Sequence, residues 1–163
     1  MTLLGIDPGY DRVGWAILVP NTKKALILAS GCIETRKTDS IFQRYQQIDQ
    51  ELSTILKQHH PSECGIEKLF YEKNAKTAMQ VSEARGIIIS TLFRHNVEVF
   101  DYTPLQIKSA ITGNGHATKQ EVKKMVQLLT TCEKLPKLDD EVDAIAAALC
   151  HNVSRSVRRL TTR

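Results

Sequence analysis

The sequence predicts an α/β protein with a mixed five-stranded sheet, an antiparallel meander extended by parallel strands, flanked by helices. Three observations support this prediction. Three short apolar runs come early in the chain and are separated by turn residues. After residue 40 the apolar residues recur every three or four positions, which is typical of amphipathic helices. Two later apolar runs alternate with helical segments, as strand–helix–strand units with parallel strands do.

The predicted strands follow from apolar runs that end at turn signals. The first run is followed by Pro8-Gly9 and the second by Pro20-Asn21, and such dipeptides favour turns. The first three strands lie close together in the chain, so we expect them to pair as a meander. The predicted strands are residues 3–6, 13–19, 26–33, 64–67 and 97–102.

The predicted helices are bounded by caps and breakers. Pro61 ends the first helix, and Thr103 followed by Pro104 is a favourable helix start. Thr118 with Glu121 three residues later forms a capping box. The predicted helices are residues 40–60, 74–94, 103–111, a segment beginning at 118, and 139–151. We expect one domain over residues 1–152, followed by a basic, flexible tail over residues 153–163.

Composition excludes several classes of protein. The chain has 163 residues, 42% of them hydrophobic and 25% charged, which is ordinary for a soluble globular domain. It has no apolar run long enough to cross a membrane and no signal-peptide pattern at its start, so we expect a cytoplasmic protein without membrane association. The four cysteines lack metal-site spacing, which favours reduced thiols.

The net charge of +4 comes from the last eleven residues, because basic and acidic residues balance in the remainder of the chain. The terminal arginines are Arg155, Arg158, Arg159 and Arg163. A basic terminus suggests a polyanion such as nucleic acid as partner. An equally good interpretation is a solvated chain end.

Four acidic residues stand where apolar neighbours dominate. Asp7 ends the first predicted strand, Glu67 ends the fourth, and Asp140 and Asp143 share one face at the start of the last helix. If the two strands are neighbours, all four carboxylates can gather at one end of the sheet, and like charges there require a counter-charge such as Mg²⁺ or Mn²⁺. Each residue also has a plain structural interpretation: Asp7 as a turn residue, and the two helical acids as partners of the helix dipole, with Asp139 as the N-cap.

Three sequence blocks resemble the RuvC family of Holliday-junction resolvases. They are LGIDPGYDRVGWA at residues 4–16, IEKLF at 66–70 and DEVDAIA at 140–146, and the likeness extends from about residue 2 to residue 151. The resemblance implies a ribonuclease H-like fold and a homodimer. It also implies structure-selective endonuclease activity on four-way junction DNA, by paired symmetric nicks that leave 5′-phosphate ends.

The same resemblance implies roles for seven residues. Asp7, Glu67, Asp140 and Asp143 are the implied catalytic residues and metal ligands, with two Mg²⁺ ions per subunit that Mn²⁺ can replace. The implied DNA-binding residues are Phe70, stacking on unpaired bases, and Lys108 and Lys119 near the scissile phosphate. Phe70 as a core residue and the lysines as solvated side chains are the plain alternatives. The family also works with the RuvA–RuvB branch-migration complex.

Other functions fit the sequence less well. The opening Asp-Pro-Gly also occurs in actin-like ATPases, but these need two such domains, and the chain contains no P-loop. A YqgF-type ribonuclease H-like nuclease acting on RNA shares the opening block but not the block that contains Glu67 and Phe70. A junction-binding protein without catalysis is disfavoured because all four acidic residues are in place.

Overall fold

The computed structural model describes residues 1–21, 23–69 and 75–161, and these contain the predicted elements in the predicted order. The strands are β1 (Leu3–Asp7), β2 (Arg12–Val19), β3 (Leu26–Glu34), β4 (Glu63–Glu67) and β5 (Glu98–Tyr102). The helices are α1 (Ile41–His59), α2 (Ala75–Arg94), α3 (Pro104–Thr112), α4 (Lys119–Leu129) and α5 (Asp139–Thr161).

The strands form one sheet in the order β3-β2-β1-β4-β5. The β1–β2 and β2–β3 pairs are antiparallel, whereas β1–β4 and β4–β5 are parallel, which confirms the predicted mixed sheet. Ile6 of β1 lies opposite Ile66 of β4. The next residues along the two strands, Asp7 and Glu67, therefore leave the sheet side by side at its carboxyl end.

Helices cover both faces of the sheet. On one face α5 packs over β1 and β2, with α3 and α4 beside it, and on the other face α1 and α2 pack together. Side chains alternate along β1, so Leu3 joins the first core whereas Leu4 and Ile6 join the second. The central strands β1 and β4 are therefore buried on both sides, and the carboxyl end of the sheet is where polar groups can collect.

Capping residues fix where the two short helices begin. Thr103 accepts a hydrogen bond from the backbone N–H of Gln106, and Thr118 accepts one from the backbone N–H of Glu121. In return, the side chain of Gln106 or Glu121 accepts a hydrogen bond from the backbone N–H of the threonine. These capping boxes confirm the predicted starts of α3 and α4. Since Lys119 directly follows Thr118, the cap also fixes the backbone from which Lys119 extends.

The last helix differs from its prediction. The sequence predicted an end at His151, but α5 continues to Thr161, so the segment expected to be a tail is helical as far as that residue. The Nε atom of Arg155 donates to Glu63 Oε1 over 2.8 Å, which ties this extension to the start of β4. The division into a domain over 1–152 and a separate tail remains a prediction.

Two further expectations concern the cysteines and membrane-spanning segments. All four cysteines are free thiols, and Cys64 and Cys150 are buried. Within the described ranges, no helix has both the length and the apolar character that a membrane span requires.

Candidate active site

Backbone contact seats the start of α5 against the sheet. A Cβ atom at Gly14 of β2 would overlap the backbone carbonyl of Asp140, and one at Gly5 of β1 would overlap the carbonyl of Ala144. Gly14 is also the register partner of Asp7. The two glycines therefore allow α5 to approach closely enough for Asp140 to lie next to the β1 strand end.

The four predicted carboxylates share one electrostatic environment. Burial, followed by the charges of the Glu67, Asp143 and Asp140 carboxylates, raises the pKa of Asp7 to about 8. Burial followed by the charge of Asp143 raises the pKa of Glu67 to about 7. Burial also raises the pKa of Asp143 against the opposing effect of Lys119. The two strand ends and the first turn of α5 thus converge, and the cluster favours a bound cation or a proton.

Basic side chains already approach two of these carboxylates. The Nε atom of Arg12 lies 3.1 Å from Asp140 Oδ2. The Nζ atom of Lys119 lies 3.6 Å from Asp143 Oδ2 and 3.3 Å from Asp139 Oδ2. Asp139 is the first residue of α5 rather than its N-cap, and its carboxylate faces the lysines of α4 instead of the helix backbone.

A cleft opens beside the carboxylates. It brings together two of the acidic residues and both predicted DNA-contacting lysines, and its lining residues are Glu67, Pro104, Ile107, Lys108, Lys119, Val122, Asp143 and Ala146. Lys108 lowers the pKa of Glu67, so its ammonium lies close enough to influence that carboxyl group. Two carboxylates and two ammonium groups therefore line the same cleft, and this arrangement suits a phosphate group held beside a cation.

The donor set suits a hard divalent cation. In the described part of the chain, no three His, Cys, Asp or Glu side chains are arranged so that they could hold a metal ion as they stand. Arg12 engages Asp140 instead, and Lys119 engages Asp143. The chemistry of the donors nevertheless fits Mg²⁺, since all four are carboxylates and the buried pair has raised pKa values.

A buried polar network holds the middle of α5 behind the site. The His151 ring lies between the Tyr102 hydroxyl, 2.8 Å from Nδ1, and the Glu63 carboxylate, 2.9 Å from Nε2. The Phe100 ring stacks on His151 with centroids 4.7 Å apart. Tyr102 is the register partner of Glu67, so this network fixes α5 to the strand next to that of Glu67.

Phe70, the predicted base-stacking residue, lies outside the described residues. Two residues before it, the backbone N–H of Lys68 donates to the Tyr102 carbonyl over 2.8 Å. The role of Phe70 therefore remains a prediction.

Sequence reasoning missed three residues around the carboxylates. Arg12 pairs with Asp140, Asp139 binds the lysines of α4, and Ser30 donates to Glu141 over 2.6 Å. One signal was present: Lys119 and Lys123 are four residues apart and therefore share a helix face that needs a negative partner. The other two contacts depend on how α5 docks on β2 and β3, which no local pattern records.

Comparison with known proteins gives a consistent family. The family model described as "Crossover junction endodeoxyribonuclease RuvC" matches residues 3–151. The RuvC protein of Petrotoga mobilis is 42% identical over 159 residues, which is 97% of this chain and 98% of that protein.

Solved structures agree with the sequence matches. The structure of Thermus thermophilus RuvC has a TM-score of 0.89 at 28% identity and covers 97% of both chains. A structure described as Thermus thermophilus RuvC in complex with a Holliday junction substrate has a TM-score of 0.91 at 29% identity, covering 97% of this chain and 96% of that one. The ribonuclease H-like fold is thereby confirmed, and the chain belongs to the RuvC family of crossover junction endodeoxyribonucleases.

Proposed function

We propose that Asp7, Glu67, Asp140 and Asp143 form the catalytic centre with which this endonuclease resolves four-way DNA junctions. The observation that carries the proposal is the convergence of the carboxylates: the other three lie close enough to Asp7 to add to the effect of burial, and together they raise its pKa to about 8. Four acidic groups from two strand ends and one helix do not share a structural purpose at such a position. Their convergence beside a cleft that two of them line together with two lysines supports phosphodiester hydrolysis.

The proposed cofactor is Mg²⁺, with two ions per subunit and Mn²⁺ as a substitute. A divalent cation held by these carboxylates would activate a water molecule and stabilise the leaving oxygen of the phosphodiester. Glu67 and Asp143, which line the cleft, are the residues of the four that face an incoming phosphate. Arg12 keeps the Asp140 carboxylate near the start of β2.

Lys108 and Lys119 are proposed to contact DNA. Both line the cleft beside Glu67 and Asp143, so a phosphate that reaches the carboxylates also meets the two ammonium groups. Phosphate contacts hold the DNA in register but do not distinguish a junction from a duplex. We assign that distinction to Phe70, three residues after Glu67, through stacking on a base exposed at the crossover.

Paired nicks require two active sites, and we propose a homodimer with α2 at its interface. Ala84, Ile88 and Leu92 of this helix are buried against the sheet, whereas Met79 on the same helix is 70% exposed. A helix with one apolar face in the core and a further large apolar side chain in solvent suits contact with a symmetry mate. The RuvA–RuvB complex as partner, which the family resemblance implies, and the cytoplasmic location expected from the sequence belong to the same proposal.

The test is a nicking assay on an end-labelled four-way junction beside a linear duplex of the same arm sequence, each with Mg²⁺ or with EDTA. We expect paired nicks in the junction only, and only with Mg²⁺, and DNA ligase should reseal them because they carry 5′-phosphate ends. Equal cutting of both substrates would contradict junction selectivity. Undiminished cutting in EDTA would contradict the metal-dependent centre.

A further inference from the structure

Asp139 is held by two lysines of α4. Lys123 Nζ lies 2.7 Å from Asp139 Oδ1, and Lys119 Nζ lies 3.3 Å from Asp139 Oδ2. Because the lysines are four residues apart on one helix, both ammonium groups reach the same carboxylate from the same side. The two hydrogen bonds use different oxygens, so Asp139 holds both lysines at once.

The second contact of Lys119 is with the cleft. Its Nζ atom lies 3.6 Å from Asp143 Oδ2, and its charge lowers the pKa values of Asp7 and Glu67. One ammonium group is therefore shared between a carboxylate at the rim, Asp139, and a carboxylate inside the cleft, Asp143. The Lys119 side chain is 65% exposed, so without a rim partner it is free to move between solvent and the cleft carboxylates.

We propose that Asp139 is a positioning residue for DNA binding: fixed by Lys123, it holds the ammonium of Lys119 at the cleft mouth, where it meets a DNA phosphate. The proposal rests on the phosphate contact assigned to Lys119 under the proposed function. It adds that Asp139 strengthens DNA binding although it is negatively charged, because it holds the positively charged ammonium of Lys119 in place. Removing Asp139 leaves Asp143 as the remaining carboxylate within 4.0 Å of Lys119 among the described residues, and that pairing draws the ammonium into the cleft.

Under this proposal, loss of the Asp139 charge weakens DNA binding, whereas the charge considered alone predicts tighter binding. Loss of a negative charge near DNA tightens binding when nothing else changes. A purely structural role is also conceivable, because an acidic residue in the first turn stabilises a helix through its dipole. Such a role changes stability but not the number of phosphates that the protein contacts. Affinity, its salt dependence and thermal stability together separate the three cases.

The experiment measures binding of a four-way junction in EDTA at several salt concentrations. For Asp139→Asn we expect affinity to fall about threefold to tenfold, with a shallower dependence on salt because about one phosphate contact is lost. Glu141→Gln is the matched control, since it removes the same charge two residues further along α5, on a different side of the helix, and its partner is Ser30 rather than a lysine. We expect Glu141→Gln to leave affinity unchanged or to raise it. Asp139→Glu keeps the carboxylate and should bind with most of the wild-type affinity.

A double-mutant cycle identifies the route. In a Lys119→Met background, Asp139→Asn should weaken binding no further, because the side chain that it positions is gone. Tighter or unchanged binding by Asp139→Asn, or an undiminished loss in the Lys119→Met background, would overturn the proposal. Unchanged binding by Lys119→Met alone would instead reject the phosphate contact on which it rests. The nicking assay tests the catalytic centre separately.

Discussion

The backbone carbonyl of Asp140 lies where a side chain at Gly14 would begin. Gly14 is also the residue opposite Asp7 in the β1–β2 ladder, so α5 contacts β2 next to the end of β1. A contact between main chains, more than any side-chain pair, therefore sets how close Asp140 comes to Asp7.

Gly14→Ala tests this contact. The added methyl group overlaps the backbone of α5 and cannot be relieved by a side-chain rotation, so the start of the helix must shift. We expect the free energy of unfolding to fall by about 1–3 kcal/mol. The nicking rate should fall by at least about tenfold, since a small displacement at a catalytic group is costly. Single-turnover nicking and chemical denaturation measure the two effects.

Gly86→Ala is the stability control for this substitution. Gly86 lies within α2, and a Cβ atom there meets nothing within 4 Å. Alanine should therefore stabilise that helix by about 0.5–1 kcal/mol. Wild-type nicking by Gly14→Ala would show that the catalytic centre tolerates movement of α5.

The raised pKa of Asp7 predicts how stability depends on pH in EDTA. The carboxyl group binds its proton more tightly in the folded chain, with a pKa of about 8, than in the unfolded chain, where the value is 3.8. The folded state therefore holds more protons between these pH values, and stability falls as pH rises. The contribution of Asp7 is complete below about pH 4 and is lost by about pH 8.

Asp7→Asn isolates this effect from the other titrating groups. Denaturation of the wild type and the variant at pH 5, 6.5 and 8 should give a difference in stability that grows in favour of the variant as pH rises. Added Mg²⁺ should stabilise the wild type most at pH 8, because a cation replaces the proton. A constant difference across this range would mean that Asp7 titrates normally.

Amide substitutions test the four-carboxylate centre. Asp7→Asn, Glu67→Gln, Asp140→Asn and Asp143→Asn each remove a ligand charge with little change in volume, and nicking should fall by at least about a hundredfold. Junction binding should persist or tighten, because negative charge facing phosphate has been removed. Glu98→Gln, at the opposite end of β5, is the control and should nick normally. Near-normal nicking by any two of the four variants would contradict the site.

Local patterns in the sequence predicted much of this architecture. The capping pairs at Thr103 and Thr118 and the apolar runs predicted the element order, and apolar runs that end at Asp7 and Glu67 placed both acids at the end of the sheet. The sequence therefore predicted which acids to consider, since strand ends can be recognised without knowing the partner strands.

Contacts between distant residues could not be predicted. Arg12 and Asp140 meet only because α5 docks on β2, and beyond His151 the hydrogen bond from Arg155 to Glu63 ties α5 to β4. The apolar pattern weakens past His151, and Val153 and Val157 are exposed. Apolar periodicity therefore predicts that α5 ends near His151, because it does not record the contact between Arg155 and Glu63.

The proposed dimer predicts an effect at the exposed face of α2. Met79→Glu places a charge on a side chain that is 70% exposed in one chain and that we assign to the interface. We expect sedimentation at micromolar concentration to show monomers, and paired nicks to become single nicks. Phe42→Glu, at a 78% exposed position on α1, is the control and should remain dimeric. A wild type that sediments as a monomer yet makes paired nicks would refute the dimer.

The last prediction concerns how a junction is told from a duplex. A linear duplex keeps its bases stacked, whereas a four-way crossover exposes base faces at its centre. An aromatic ring that stacks on such a base contributes about 1–3 kcal/mol. Phe70 follows Glu67 by three residues in the sequence, and we propose that its ring stacks on a base beside the scissile phosphate. We expect Phe70→Ala to lower junction nicking by about tenfold to a hundredfold, with the fold and Mg²⁺ binding intact.

A fluorescent base separates stacking from phosphate contact. With 2-aminopurine at the crossover, binding of the wild type should increase emission as the base leaves its neighbours, and Phe70→Ala should produce a smaller increase. Lys108→Ala is the matched comparison, because Lys108 lines the cleft beside Glu67 but offers only a charge. It should weaken catalysis or binding, and make the salt dependence shallower if a binding contact is lost, while the emission of bound junctions stays at the wild-type level. If Phe70→Ala gives the wild-type increase and nicks normally, the ring packs within the protein and junction selectivity has another source.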